Sequence, residues 1–189
     1  MSTSLRRRSA MRSIASKAYY GALGKLVDPA FRFSGRSRRP PKDPFNSMLS
    51  LCYTILMYGV YGALEAKGLS PYFGFLHEDR EKHPTLSSDL MEEWRAPIAD
   101  AVVMSLVNGH EISLSDFTTP DGETGIFLTG AGMKILINKL ERKFMDKHSY
   151  LPYVRYSVTF RNAINMQANE MAKAIEAGDA ELYSPIWIR

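Results

Sequence analysis

The segment GFLHEDREKHPTLSSDLMEEWR, residues 74–95, places two histidines beside six acidic residues. Histidine nitrogens and carboxylate oxygens are donors that divalent cations use in proteins. Positions i, i+3 and i+4 of a helix face the same way, so Asp89 can converge with Glu92 or Glu93. Acids in a first helical turn are also stabilised by the helix dipole, and a loop histidine such as His77 is more often a surface residue than a ligand. Residue types alone therefore leave two interpretations open, a metal site or a solvated helix start.

Positive charge is concentrated near the N-terminus. Residues 1–42 hold eleven of the 24 lysines and arginines but one of the 20 acidic residues, although the net charge of the chain is only +4. The connector GRSRRPPKDP within this region carries Arg36, Arg38, Arg39 and Lys42, and its prolines keep the backbone extended. Cations held in place suit phosphate contacts, so these four residues are predicted to bind nucleic acid. A basic loop with an acidic helix start is typical of metal-dependent enzymes that act on nucleic acid.

The spacing of apolar residues predicts an all-α domain of five main helices. Thr85 is expected to cap the third helix, Pro97 to kink or break it, and GIFLT to form a short strand. The fourth helix is expected to turn one face inward, formed by Met133, Leu136, Ile137, Leu140 and Phe144. The predicted helices span residues 9–27, 44–67, 85–108, 129–147 and 153–177.

One segment raises the question of a membrane span. Pro44 to Leu64 contains 21 residues without a charge, which is long enough to cross a bilayer. It also contains polar residues, three tyrosines and two glycines, so we predict a buried core helix, with a membrane span as the alternative. Cys52, inside this segment, is predicted to be a buried free thiol. The basic N-terminus lacks the apolar stretch of a signal peptide, and a cytoplasmic protein without membrane association is expected.

Three segments carry a family resemblance: RRPPKDPFNSMLSLCYTIL, GLSPYFGFLHEDR and LSSDLMEEWR. They resemble the C-terminal helical domain of the CRISPR-associated endonuclease/integrase that captures new spacers. The resemblance continues through Asp116-Phe117, GIFLTGAGMK and RNAINMQANEMAKAIEAGDAELYSPIWIR, and it covers approximately residues 14–189. It implies a metal-dependent DNA integrase of prokaryotic adaptive immunity, which uses 3′-hydroxyl ends of a short duplex to attack the repeat array by transesterification.

The resemblance also implies cofactors, partners and site residues. Magnesium or manganese is expected in the site, and double-stranded DNA, a second copy of the chain and a second small adaptation protein are the expected partners. The histidine of the Gly-Phe-Leu-His motif, His77, is implied to be a metal ligand, and so is Glu92. Asp89 is similar to the family's supporting acid, which contacts its surroundings rather than the metal. Glu93 is expected to be the solvated neighbour of Glu92.

The sequence departs from the family pattern in two places. The family carries an N-terminal β-rich domain, and nothing rich in strands precedes the first predicted helix. We therefore expect the chain to correspond to the C-terminal domain alone, as a fragment or a shortened product. Residues 1–13 are interpreted as a basic leader of uncertain origin, followed by the helical domain over residues 14–189.

The second departure affects the implied metal site. The family's first ligand is a glutamate in the pattern Glu-Gly-x-x-[Ala/Ser]-x-x-Tyr-[Phe/Tyr], and alignment on Tyr19-Tyr20 places Arg12 at that position. A guanidinium stays protonated, and at roughly 4 Å it repels a cation by several kcal/mol. We expect weak or absent metal binding and impaired activity unless Asp89 or Glu93 substitutes. The alternative function is a non-catalytic DNA-binding or assembly module.

Overall fold

The computed structural model describes residues 3–75 and 83–188, and for residues 3–13 it describes the backbone alone. A π-helical segment, Arg95–Asp100, connects the third and fourth helices into one helical stretch. With that stretch counted once, the structure has the five main helices of the predicted all-α domain. The α-helices are α1 (Thr3–Leu26), α2 (Pro44–Glu65), α3 (Thr85–Trp94), α4 (Ala101–Asn108), α5 (Gly130–Met145) and α6 (Phe160–Ala177).

Strands in the described residues form two short antiparallel pairs. β1 (Phe117–Thr118) pairs with β2 (Phe127–Leu128), which confirms the short strand predicted in GIFLT. β3 (Lys147–His148) pairs with β4 (Val158–Thr159). Short 3-10 helices cover Pro29–Phe31, Leu114–Asp116 and Ala180–Leu182.

The break predicted at Pro97 is confirmed. Proline lacks the amide that would bond the carbonyl four residues earlier, and here the helix widens to π geometry over Arg95–Asp100 before α4 begins. The cap predicted at Thr85 is wrong, because Thr85 is the first helical residue and Pro84 precedes it as N-cap without a side-chain hydrogen bond. The Thr85 hydroxyl instead forms hydrogen bonds with the backbone of Tyr72 and Gly74 in the preceding loop.

Two predictions about α5 and α6 are also corrected. On α5, Leu136, Leu140 and Phe144 are buried as expected, but Met133 and Ile137 are exposed. The predicted start of the last helix is seven residues early, because α6 begins at Phe160. The preceding residues contain β4 and the N-cap Thr159, whose side chain accepts a hydrogen bond from the amide of Asn162 at 3.2 Å. The helix ends at Ala177 as predicted, and the residue that follows, Gly178, has a φ of 65°, which favours glycine at a helix end.

The chain divides into two compact units. The first comprises residues 1–52 and 100–139, and the second comprises residues 53–99 and 140–189. In the first unit the rings of Phe33 and Phe45 stack with centroids 4.4 Å apart, and Asn108 caps the end of α1 by donating to the carbonyl of Leu26 at 3.0 Å. In the second unit the indole of Trp94 packs edge-on against Phe160 at 6.2 Å.

The helix α2 is long and apolar enough, by length and composition, to cross a membrane. Half of the apolar stretch of α2 is buried inside the protein, and Met48, Cys52 and Leu56 are fully buried. The predicted burial of Cys52 is therefore confirmed, and burial raises the pKa of its thiol well above the usual value. The core helix of a soluble protein can be equally long and apolar, so length and composition do not decide between the two. The lack of membrane association stays a prediction.

Candidate functional site

The loop that leads to His77 is anchored on the first turn of α3. The Thr85 hydroxyl accepts a hydrogen bond from the amide of Gly74 at 2.9 Å and donates to the carbonyl of Tyr72. The amide of Leu86 donates to the carbonyl of Pro71 at 2.9 Å, which uses one of the free amides of a helix N-terminus. These three hydrogen bonds fix the backbone of residues 71–74 against α3.

Asp89 continues this anchoring. Its carboxylate is buried, with only 7% of the residue exposed, and it accepts a hydrogen bond from the amide of Phe75 at 2.5 Å. Gly74 lies so close that a Cβ there would be 2.7 Å from the Asp89 carboxylate and 2.8 Å from the backbone of Thr85. Glycine is therefore required by close approach rather than by φ. Asp89 holds the chain two residues ahead of His77, as a supporting acid would.

Glu92 differs from Asp89 because its side chain is exposed. Its carboxylate lies 2.7 Å from the guanidinium of Arg95, one helical turn further along the chain. That guanidinium also lies over the ring of Tyr53, 4.2 Å from its centroid. An exposed carboxylate is a hard oxygen donor of the kind that magnesium and manganese prefer. Arg95 is therefore a competing cation that a metal at Glu92 must displace or share with.

The expectation that Glu93 is a solvated neighbour is wrong. Its carboxylate accepts hydrogen bonds from the Tyr183 hydroxyl at 2.5 Å, the Gln167 amide at 3.2 Å and the backbone amide of Ile186 at 3.2 Å. Burial raises the pKa of Glu93 above its usual value, and these three hydrogen bonds act in the opposite direction. The Glu93 carboxylate therefore serves to hold α3 to other parts of the chain through these hydrogen bonds.

These contacts define how far the described residues fit a divalent cation. Glu92 supplies one suitable oxygen donor, whereas the carboxylates of Asp89 and Glu93 are engaged by amide and hydroxyl donors. Within residues 14–75 and 83–188, whose side chains are described, no group of three histidine, cysteine, aspartate or glutamate side chains is placed to hold a metal ion. His77 lies outside the described residues, and so does the side chain of Arg12, whose backbone belongs to α1. The roles of both residues stay predictions.

The basic connector separates into two kinds of residue. The guanidinium of Arg36 donates to the Asn46 side chain at 2.8 Å and to the Ser50 hydroxyl at 3.0 Å, so it fastens the loop to α2. Arg38, Arg39 and Lys42 are exposed. Three of the four predicted DNA-binding residues thus have side chains open to a ligand, and DNA contact by this group stays a prediction.

Two residues with a structural role at the site were missed from the sequence. Gln167 is fully buried on α6, where it donates to Glu93 and to the carbonyl of Ser184 at 2.9 Å and accepts from the Tyr153 hydroxyl at 2.8 Å. Tyr183 lies beyond α6. A sequence signal existed for Gln167, because it follows Ile164 by three residues and so interrupts the apolar face of α6 with an amide.

Sequence and structure comparisons identify similar proteins. The family described as CRISPR associated protein Cas1 matches residues 4–142. The CRISPR-associated endonuclease Cas1 3 of Thermus thermophilus is 48% identical over 175 residues, which cover 93% of this chain and 52% of that protein. The chain spans about half the length of the curated relatives it matches.

Solved structures give the same picture. A casposase bound to integration product superposes with a TM-score of 0.85 at 25% identity, covering 97% of this chain and 52% of that one. A chain of a Cas6-RT-Cas1–Cas2 complex superposes with a TM-score of 0.81 at 26% identity, covering 95% of this chain and 20% of that one. Both similarities include nearly the whole of this chain.

Proposed function

Because the chain belongs to the Cas1 family of CRISPR-associated proteins, we propose that it serves as the metal-dependent DNA integrase domain of spacer acquisition. In the proposed reaction a 3′-hydroxyl of a short duplex attacks a phosphodiester of the repeat array. The new oxygen–phosphorus bond forms as the bond to the leaving 3′-oxygen breaks. The attacking hydroxyl loses its proton to solvent and the leaving 3′-oxygen takes one up from solvent, so one 3′-hydroxyl is consumed and one is released. The observation that carries the proposal is the anchoring of Phe75, two residues before His77, by Asp89, beside an exposed Glu92 on the same helix.

We assign the metal site to His77 and Glu92, with magnesium or manganese as the cation. When bound, such a cation would polarise the attacked phosphodiester and favour ionisation of the attacking hydroxyl. Asp89 fixes the backbone of Phe75, the last described residue before His77. Arg38, Arg39 and Lys42 are proposed to hold the DNA backbone. Double-stranded DNA, a second copy of the chain and a small adaptation protein are the proposed partners, and a cytoplasmic location without membrane association is proposed with them.

Arg12 is the reason to propose that this site is impaired. Its guanidinium replaces a carboxylate in the family pattern, so one negative charge that would attract the cation becomes a positive charge that repels it. Asp89 and Glu93 are poor substitutes, because each would have to abandon buried hydrogen-bond donors to reach a metal. We therefore propose weak metal binding in this chain.

A second candidate function follows from the same residue. With Arg12 at the ligand position and three exposed cations in the connector, the chain is suited to bind DNA without chemistry. This function is a non-catalytic DNA-binding or assembly module. It predicts DNA affinity that is independent of manganese.

A strand-transfer assay separates the two functions. A labelled duplex with free 3′-hydroxyl ends is incubated with a supercoiled repeat plasmid and manganese, using the parent chain, the Arg12→Glu variant and a His77→Ala variant of each. We expect weak joining by the parent, stronger joining by Arg12→Glu, and none after His77→Ala. His83→Ala is the matched control, because this histidine contacts Ser88 at 3.1 Å and carries no proposed role.

One result would contradict the assignment of His77, and another would contradict the integrase proposal itself. Joining that survives His77→Ala would remove that residue from the site. DNA binding without joining, in both the parent and Arg12→Glu, would favour the non-catalytic module.

A further inference from the structure

A polar cluster, partly buried and with Gln167 as its fully buried member, lies at the C-terminal end of α3, inside the second unit. Glu93 is its centre, Gln167 joins it to α6, and Tyr153 donates to Gln167. The remaining donors come from residues 183–187, which we call the C-terminal strap. Tyr183 and the amide of Ile186 donate to Glu93, and the amide of Trp187 donates to the carbonyl of Tyr150 at 2.8 Å. A short segment at the end of the chain is thereby bonded to both α3 and the loop before α6.

The cluster fixes the rotation of α3 about its own axis. Glu93 is held by three hydrogen bonds, and the next residue, Trp94, is fully buried against Phe160. Successive residues of an α-helix project about 100° apart, so the direction of Glu92 is set once Glu93 and Trp94 are fixed. Glu92 accordingly projects away from the cluster, and its carboxylate is exposed.

We propose that the C-terminal strap, acting through Glu93, is a positioning element for Glu92. It holds the end of α3 in one rotation and so presents the Glu92 carboxylate in one direction. The inference rests on the proposed function, since it takes Glu92 to be a metal ligand. It gives Glu93 a different role from a substitute ligand, because Glu93 acts through its neighbour and stays away from the cation.

The hydrogen-bond inventory supports positioning over ligation. If Glu93 turned toward a metal, the Tyr183 hydroxyl, the Ile186 amide and one proton of the Gln167 amide would lose their acceptor. Gln167 is fully buried, so its amide could not be satisfied by bulk water. Unsatisfied buried donors are strongly disfavoured, which keeps the carboxylate where it is.

Manganese affinity tests the proposal directly. It is measured by calorimetric titration of the full chain and of the Arg12→Glu variant, each with and without Tyr183→Phe. Removing the Tyr183 hydroxyl loosens the hold on Glu93, and we expect manganese affinity to fall roughly tenfold, which is the low end of the effect of outer contacts on metal sites. Tyr156→Phe is the matched control in the same unit, because Tyr156 is exposed, and it is expected to leave affinity unchanged.

Conservative replacement of Glu93 distinguishes positioning from ligation. Glutamine retains an oxygen that accepts from Gln167 and Ile186, so Glu93→Gln is expected to keep manganese affinity within about twofold, because no ligand to the metal is removed. Glu93→Ala removes the acceptor altogether and is expected to weaken binding at least as much as Tyr183→Phe. Loss of binding in Glu93→Gln would overturn the proposal in favour of Glu93 as a ligand.

Hydrogen exchange separates failure of this inference from failure of the proposed function. Tyr183→Phe should speed exchange of the amides over residues 92–96 while the urea midpoint of the whole chain changes little. Unchanged exchange there, or manganese affinity equal to that of Tyr156→Phe, would overturn the positioning role. Absence of manganese binding in both the parent and Arg12→Glu would instead overturn the proposed metal site, and with it the assignment of Glu92.

Discussion

The acidic residues of α3 and the basic residues of the connector before α2 use charge in opposite ways. On α3, Asp89 and Glu93 are engaged by hydrogen bonds from their own chain, and Glu92 is the acid with an exposed side chain. In the connector the proportion is reversed, because Arg36 is engaged internally whereas Arg38, Arg39 and Lys42 are exposed. A metal ligand has to be held in one direction, which requires supporting contacts. Phosphate contacts need side-chain cations that reach the surface, so exposure matters more there.

The largest expected effect comes from replacing Gln167, the fully buried amide that donates a hydrogen bond to Glu93. Gln167→Ala removes one of the three hydrogen bonds to Glu93 and takes the Gln167 partner from the Tyr153 hydroxyl and the Ser184 carbonyl. It also leaves a cavity at a fully buried position, and we expect a loss of about 3 kcal/mol in the free energy of unfolding. Urea denaturation measures it. Asn165→Ala, an exposed amide on the same helix, is the control and should change stability by less than about 0.5 kcal/mol. Similar free energies of unfolding for the two variants would mean that the hydrogen bonds of Gln167 contribute little to stability.

Gly74→Ala tests the other end of α3, where Asp89 holds the loop. The added methyl group would lie 2.7 Å from the Asp89 carboxylate, so the loop must shift, and we expect destabilisation of about 2 kcal/mol. Gly59→Ala is the matched control. Gly59 lies in α2 with open space around it, so alanine there should stabilise by about 0.5 kcal/mol or more through helix propensity. Equal effects of the two changes in urea denaturation would contradict the close approach at Gly74.

The exposed connector residues should act on DNA affinity rather than stability. Replacing Arg38, Arg39 and Lys42 together by alanine should weaken duplex binding about tenfold and lower the salt slope by up to about 2.7, if each neutralises one phosphate. Fluorescence anisotropy over a range of salt concentrations measures both quantities. Arg36→Ala should do the reverse, with a lower urea midpoint and a nearly unchanged salt slope. If Arg36→Ala lowered the slope as much as the triple variant, the division of the connector would be wrong.

The smallest effect is expected at the exposed acid itself. Arg95→Gln removes the ion pair with Glu92 and the contact with Tyr53, and exposed pairs of this kind contribute less than about 1 kcal/mol each. Stability should therefore fall slightly in urea denaturation. Manganese affinity should rise in the Arg12→Glu background, because a competing cation has left Glu92. A fall in affinity would show that Arg95 supports the ligand.

The sequence was sufficient to predict the elements that repeat an apolar period. The helices α2 and α3 to α4 were predicted close to their observed bounds because their apolar residues recur at helical spacing, and Pro97 marked the break by its missing amide. The end of α6 was predicted correctly because Gly178, which follows it, can adopt the positive φ that ends a helix. The inward face of α5 was predicted too wide, because spacing identifies which residues share a face but not how wide a face its neighbours cover.

The candidate site was harder to predict because its contacts join distant residues. Tyr183 and Glu93 are 90 positions apart, and the donor set that buries Glu93 depends on where the chain returns after α6. The family resemblance implied that Glu93 is solvated beside the ligand Glu92, although the two side chains point in different directions on one helix. The contact between Asp89 and the Phe75 amide is equally invisible in sequence. The one sign of this contact in the sequence is the glycine at position 74, because the short distance to Asp89 leaves no room for a side chain there.

Calorimetric titration of manganese into the parent chain and into Arg12→Glu tests the central claim most directly. If His77 and Glu92 form a metal site weakened by the guanidinium, Arg12→Glu should bind manganese at least tenfold more tightly, since even a fraction of the roughly 8 kcal/mol of repulsion between a divalent cation and a guanidinium at about 4 Å suffices. Adding Glu92→Gln should remove that gain. Equally tight binding by the parent and Arg12→Glu, or a gain that survives Glu92→Gln, would contradict the account.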